Sequence, residues 1–293
     1  NFSLKNLLLS IKLGLIIIGI ITIVQFQFQL GEGWHRPAGM MNQNIFGDIA
    51  VAMLFLAIVR FFDENPKEQI ITFIAIIAGI FAIILSASRG SWVSALILGA
   101  LYFSIIYKPY LSGNIKRKLG VLGVIIIMFT LLFNTQTIQD NISKATNGVK
   151  EWSAGNINSS AGVRLNMWES GLKAVQDSPL IGHGYRNANK VTQKYTEKSV
   201  KHFTHLHNEY ITNLVSAGIF GLLSLLALIF VPLIIFYKKL KNKENYHYAF
   251  MGILLCTGYA TFGFTHIAFG EEHVNAFYIL FMGLLLPAVT KDA

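Results

Sequence analysis

Long apolar runs alternate with short polar breaks along almost the whole chain, and their lengths decide its class. Stretches near residues 7–24, 45–62, 70–87, 92–107, 119–133, 210–237, 249–269 and 276–290 approach the ~20 residues that a helix needs to cross a bilayer. In lipid a backbone N–H or C=O has no water to bond, so each run is expected to be a helix that satisfies its own backbone. The pattern argues against a β-barrel, because runs such as Leu15 to Val24 lack the apolar–polar alternation of a lipid-facing strand. The pattern predicts an all-α polytopic membrane protein of about eight transmembrane helices. Residues 1–133 hold helices one to five, 210–293 hold six to eight, and 134–209 form one long polar loop between them. Where Gln25, Gln27 and Gln29 alternate with Phe26, Phe28 and Leu30, the chain is expected to become extended at the membrane surface.

Charge adds an orientation. Only 13% of residues are charged against 53% hydrophobic, so the net charge of +9 belongs to a membrane reading and not to nucleic-acid binding. Lys108, Lys116, Arg117 and Lys118 share one short connection, and Lys238, Lys239, Lys241 and Lys243 share another; by the positive-inside rule both face the cytoplasm. Alternation through the spans then puts Lys5, Lys12 and Lys291 inside and residues 134–208 outside. Trp34, Trp92, Tyr107, Tyr110 and Tyr237 fall near the interfaces, as amphipathic rings do. The single cysteine, Cys256, lies within an apolar run and is read as packing. Residue 1 is not Met and no cleavage pattern follows it, so the chain reads as part of a longer one.

The polar segment has its own order. Ser159 or Ser160 can cap a helix, Val163, Met167, Leu172 and Val175 recur at helical spacing, and Asp177-Ser178-Pro179 stops it. That segment should therefore contain helices. Arg164 falls in the first turn, where the helix dipole disfavours a cation; it is either a phosphate ligand or a surface charge. Arg89, in Ser88-Arg89-Gly90-Ser91-Trp92, sits between two apolar runs with scarcely any loop to carry it, as a functional group or a snorkelling anchor. His202, His205 and His207 are poorly spaced for zinc on one helix face, which leaves a solvated loop or one histidine acting as a base. The loop holding Arg36, Asn42 and Asn44 is either a capped turn or substrate-facing. Asp48, inside a span, either pairs with another buried group or meets substrate.

Four elements in order, Arg36-Pro37-Ala38-Gly39 with Asn42 and Asn44, Ser88-Arg89-Gly90-Ser91-Trp92, Gly162-Val163-Arg164-Leu165-Asn166-Met167-Trp168 running to Gly182-His183-Gly184, and His205-Leu206-His207-Asn208-Glu209-Tyr210 followed by Ala217-Gly218-Ile219, resemble the O-antigen ligase and polymerase family. The resemblance covers almost the whole chain and implies a roughly twelve-helix protein whose first helices would precede residue 1. It implies a bacterial inner-membrane glycosyltransferase that takes a glycan from undecaprenyl pyrophosphate at the periplasmic face. The acceptor would be lipid A-core for a ligase, another repeat unit for a polymerase, or a protein hydroxyl. The family's two arginines and histidine fall on Arg89, Arg164 and His207, with His202 and His205 as rival imidazoles.

In that reading Arg89 and Arg164 stabilise the departing pyrophosphate and His207 takes the acceptor proton, with inversion at the sugar carbon. Asn208 would orient the imidazole or a sugar hydroxyl; Trp168 and Tyr185 would stack on sugar or lipid, or simply pack; Arg36, Asn44 and His205 would complete the substrate site. The chain has no Asp-x-Asp pair, so no metal cofactor is expected. A transporter of lipid-linked sugar is the competing class, but it should show two related halves with broken helices, and no repeat is visible.

Overall fold

The structure, a computed structural model, describes residues 3–29, 37, 39, 41–107, 115, 119, 136–157, 159–197, 203 and 205–290. The described residues are helical, with no strand among them. The helices are α1 (Leu4–Gln29), α2 (Gln43–Ala57), α3 (Pro66–Leu85), α4 (Arg89–Ile106), α5 (Gln136–Ser153), α6 (Ser160–Asp177), α7 (Tyr185–Tyr195), α8 (Glu209–Lys239), α9 (Tyr246–Phe262) and α10 (Glu272–Thr290).

Among the described residues six segments are long and apolar enough to cross a membrane: Leu4–Phe28, Gln43–Asp63, Pro66–Leu85, Arg89–Ile106, Glu209–Lys239 and Glu272–Thr290. Of the other two runs expected to span, one forms the 17-residue α9, short of the length of the six, and residues 119–133 lie outside the described residues apart from Leu119. One local expectation fails. Gln25, Gln27 and Gln29 remain helical to the end of α1, because the Gln25 amide bonds both ways with the Gly39 backbone, at 2.9 Å each, and that pair holds the returning loop without extending the helix end.

α2 and α9 form the centre. α2 packs on α1, α3, α4, α9 and α10, and α9 packs on α8, α4, α10 and α2. Both are apolar nearly all round, which suits helices enclosed by others. Peripheral helices instead expose apolar faces suited to lipid: Ile17 and Ile20 on α1, Ile70 and Phe73 on α3, Leu96 on α4, Phe220 and Leu223 on α8. Cys256 is fully buried, as packing requires.

Helices α5, α6 and α7 form a separate cap, with α6 and α7 seated on α8. Its small core joins Met167, Ala174 and Ala188 to Leu206 and Val215. The seam is held at a break in α8, where Ala217 and Gly218 leave helical geometry. The His183, Gly184 and Ile219 N–H groups bond across it to Val215, Ser216 and Pro179 carbonyls at 2.8–2.9 Å. Gly218 has φ +63°, and a Cβ there would lie 2.3 Å from the Leu180 backbone, so only glycine allows the approach.

Candidate functional site

Where α2, α4 and α6 begin and α9 stops, a polar recess with an empty volume of ≈ 380 Å³ opens to solvent, lined by Asn44, Ala87, Ser88, Arg89, Gly90, Arg164 and Thr265. Local chemistry sets each wall. Asn42 caps α2 by accepting the Asn44 N–H at 2.9 Å, which puts Asn44 in the first turn beside the recess. The chain reverses between α3 and α4 in three residues, with Ala87 at φ 51°, and Ser88 is the N-cap residue that delivers Arg89 as the first residue of α4. A Cβ on Gly90 would stand 2.2 Å from Thr265 Oγ1, so glycine is what lets α4 close against the α9–α10 connection.

Arg89 Nη2 donates to Ser160 Oγ at 2.9 Å, a bond between residues 71 positions apart that ties α4 to the start of α6. Ser159 caps α6 by accepting the Gly162 N–H at 3.0 Å, and Arg164 stands on the fifth residue of that helix. The expected first-turn position is thus passed by one residue. Burial first, and then the neighbouring Arg89 charge, push the Arg164 guanidinium below its ordinary value. Among the described residues neither arginine has a carboxylate partner. Two adjacent cations in a partly buried recess repel each other and are relieved by an anion. The starts of α2, α4 and α6 add backbone N–H groups of the same preference.

The histidine wall lies next to this pair. Trp168 Nε1 donates to the Leu206 carbonyl at 2.9 Å, and Leu206 is buried in the cap core, so the two residues flanking Leu206 are held at a fixed height. His205 Nε2 and His207 Nδ1 are 3.1 Å apart, one donating and one accepting according to tautomer. His207 has φ 51°; with Ala87 it is one of two non-glycine residues at positive φ among the described residues, and both border this site. Asn208 caps α8, its Oδ1 accepting the Ile211 N–H at 3.0 Å, while its Nδ2 donates to the Phe264 carbonyl at 3.4 Å. The Glu209 N–H donates to Gly263 at 2.7 Å, its carboxylate accepts from the Phe269 N–H and from Asn213 at 3.0 Å, and Tyr210 donates to Ala260 at 2.6 Å. These bonds staple the His207–Tyr210 segment to residues 260–269 and bring His266 into the cluster.

Burial, and then the charges of His205, Arg164 and His266, push the His207 imidazole down to about 3. His266 is pushed down to about 4 by burial, His205 and Arg164, and His205 is lowered by burial and Arg164. All three are therefore neutral at neutral pH. A neutral imidazole beside two fixed cations can accept a proton without first losing one.

Arg89, Arg164 and Asn44 converge on the recess, and His205 and His207 stand together at its side. Trp168 and Asn208 hold the histidine segment in place: one indole N–H holds its backbone and one amide caps the helix after it. Tyr185 is 72% exposed at the start of α7 and does not line the recess. Arg36 and His202 lie outside the described residues. Sequence reasoning missed Ser160, Thr265 and His266, whose motif, Gly263-Phe264-Thr265-His266, lies on a connection that the apolar pattern places inside the span 249–269. Among the described residues no three His, Cys, Asp or Glu side chains gather as a metal site.

A family described as O-antigen ligase matches residues 74–226, more than half of the 293-residue chain, and the matched stretch holds Arg89, Arg164, His205 and His207. The chain belongs to this O-antigen ligase family. It is 29% identical over 299 residues to an uncharacterized protein of Haemophilus influenzae, covering 95% of this chain and 72% of that one. It is also 26% identical over 230 residues to the ComP-specific O-oligosaccharyltransferase of Acinetobacter baylyi, covering 77% of this chain and 40% of that protein's length. The O-antigen ligase match runs from α3 into α8, so two walls of the recess, Asn44 on α2 and Thr265 after α9, stand outside it.

Proposed function

We propose that this chain carries the transfer site of an O-antigen ligase, moving a glycan from undecaprenyl pyrophosphate to a lipid A-core hydroxyl. The observation that carries the reading is the pair Arg89 and Arg164, unpartnered by carboxylate among the described residues, in one recess with the neutral His207 beside it. The recess lies at the opposite end of the bundle from Lys238, Lys239, Lys241 and Lys243, so the positive-inside rule supports a periplasmic site.

The acceptor oxygen attacks the anomeric carbon and gives its proton to the free ring nitrogen of His207. The bond from that carbon to the phosphate oxygen breaks, and its electron pair leaves on the pyrophosphate. A single displacement inverts the centre. Charge grows on the leaving group as the bond opens, and the guanidiniums meet it with forked hydrogen bonds, each charge-assisted bond contributing about 1.5–3 kcal/mol. Negative charge on the bound donor also raises the His207 imidazole from its low free value, which improves it as a base in the complex.

The Acinetobacter relative favours a second reading, a protein hydroxyl as acceptor, with the donor chemistry unchanged. Purified protein in detergent, given polyprenyl-pyrophosphate glycan with lipid A-core in one arm and an acceptor protein in another, separates the readings. Glycosylated lipid A-core supports the ligase, glycosylated protein supports the second reading, and an unconsumed donor in both arms with all components intact rejects transfer in favour of a carrier.

A further inference from the structure

Below the recess, α2 buries a carboxylate in its apolar interior. Asp48 is 1% exposed, and nothing in the steps proposed above uses it. Its Oδ1 accepts from Ser91 Oγ at 2.7 Å, and Ser91 Oγ is 2.8 Å from the hydroxyl of Ser88, the N-cap residue of the helix that Arg89 begins. Its Oδ2 stands 3.1 Å from Nδ1 of His266, which is 4% exposed. That contact is out of line for a full hydrogen bond, and apart from it both atoms, like His266 Nε2, are buried without a partner among the described residues. A charge or polar atom in this position costs several kcal/mol unless it is paired, so an incompletely satisfied group needs a reason.

Each branch from Asp48 ends on a wall of the recess. One passes through Ser91 and Ser88 to Arg89. The other passes through His266 to its neighbour Thr265. His266 also lies close enough to Arg164, His205 and His207 for their charges to act on one another. A carboxylate facing Nδ1 favours the tautomer with hydrogen on Nδ1, which leaves Nε2 as an acceptor.

We propose that Asp48 and His266 form a positioning dyad for this site: the Asp48 carboxylate accepts from His266 Nδ1–H and from Ser91, and so fixes the His266 tautomer and joins the Arg89 wall to the Thr265 wall. The contact straightens when the donor closes the recess, as such bonds commonly tighten in the reactive complex. The dyad rests on the transfer reading for its consequence in turnover, while the tautomer it fixes is a property of the unliganded protein.

Asp48→Asn is the decisive variant, because the shape is kept and the amide oxygen still accepts from Ser91, but the amide N–H can face only an unprotonated Nδ1. In protein labelled with ¹⁵N-histidine, with the His266 signals identified by their loss in His266→Gln, the parent should carry hydrogen on Nδ1 and Asp48→Asn should carry it on Nε2. Turnover should fall at least tenfold in kcat with donor KM little changed, and His266→Gln combined with Asp48→Asn should lose no more than the worse single variant. A role confined to packing would leave kcat intact in the isosteric variant.

A His266 signal already protonated on Nε2 in the parent, or unmoved in Asp48→Asn, overturns the dyad even where the parent transfers glycan. The same holds for losses that multiply in the double variant. If the parent transfers nothing, the transfer reading fails while the nitrogen signals still decide the dyad. Should Asp48→Asn not fold, the parent tautomer and the kcat of His266→Gln carry the test, and an unchanged kcat there overturns the proposal.

Discussion

The buried Lys12–Glu64 pair at one end of the helix bundle and the arginine pair at the other treat charge in opposite ways. At the end where α1 and α3 begin, two lysines near the helix starts have carboxylate partners: Lys12 pairs with Glu64 at 6% and 2% side-chain exposure, and Lys5 with Glu68 at 2.7 Å. Glu64 also accepts from Thr72, itself fully buried. At the recess end, Arg89 and Arg164 lie side by side without a carboxylate among the described residues, and the nearby imidazoles are driven neutral. A matched buried pair holds helices in register. An unmatched pair of cations is a standing electrostatic cost that a polyanion removes, which is why the second end reads as a ligand site and the first as a clasp.

The sharpest way to break that contrast is to remove the arginines. Arg89→Ala and Arg164→Ala should each lose roughly 10²- to 10⁴-fold in turnover, as expected when two charge-assisted bonds of about 1.5–3 kcal/mol vanish. Lys should rescue poorly at either position, since a point charge cannot fork. Both proteins should melt near the parental temperature, because no carboxylate is stranded. Parental turnover in the two folded alanine variants would remove the anion clamp.

His207→Ala should lose roughly 10²- to 10⁴-fold in rate while donor affinity, carried by the arginines, persists. His205→Ala should be milder. Because the free enzyme's His207 is held down to about 3, it is neutral from there upward, and protonation below that value removes the base. The acid limb of kcat/KM, which reports the free enzyme, should therefore lie well below pH 6.5, and the limb of kcat should lie higher because the bound pyrophosphate raises the imidazole. A kcat/KM limb at the ordinary histidine value would show that the ring is not crowded by cations during catalysis.

At the clasp the effect should appear in stability instead. Lys12→Met strands the Glu64 carboxylate and should cost about 3–5 kcal/mol, read as a lower melting temperature in detergent, while Lys12→Met with Glu64→Gln should recover most of it. Turnover per folded molecule should stay near parental in both. The smallest expected effect is that of chelation: EDTA should leave activity unchanged, since guanidiniums occupy the role a divalent metal plays beside a pyrophosphate. Activity lost to EDTA and restored by one defined metal would reverse that assignment.

The transmembrane helices were legible because an apolar run of spanning length has one favourable form in lipid, and hence α1, α3, α4 and α8 lie where hydropathy puts them. Helix α6 was legible for a different reason: its serine cap, its apolar spacing and Pro179 are local signals, and it starts at Ser160 and stops at Asp177. Gln25 misled because its alternation was read without its partner, the backbone of Gly39. Thr265 and His266 were hidden inside an apolar stretch, since nothing local marks the point where α9 ends and the chain turns back to face the recess.

By itself the sequence determined the class, most of the spans, the charge asymmetry between the ends, and the residue types able to meet a pyrophosphate. Those follow from hydropathy and side-chain chemistry, which are properties of each segment alone. Only the tertiary structure decided that the Trp168 indole meets the Leu206 carbonyl, that Tyr185 stands exposed outside the recess lining, and that Asp48 reaches His266 across 218 positions of chain. Such relations depend on which helix ends meet. That is set by the packing of α2 and α9 among their neighbours, where the side chains that touch are far apart in the chain and no local pattern encodes their distance.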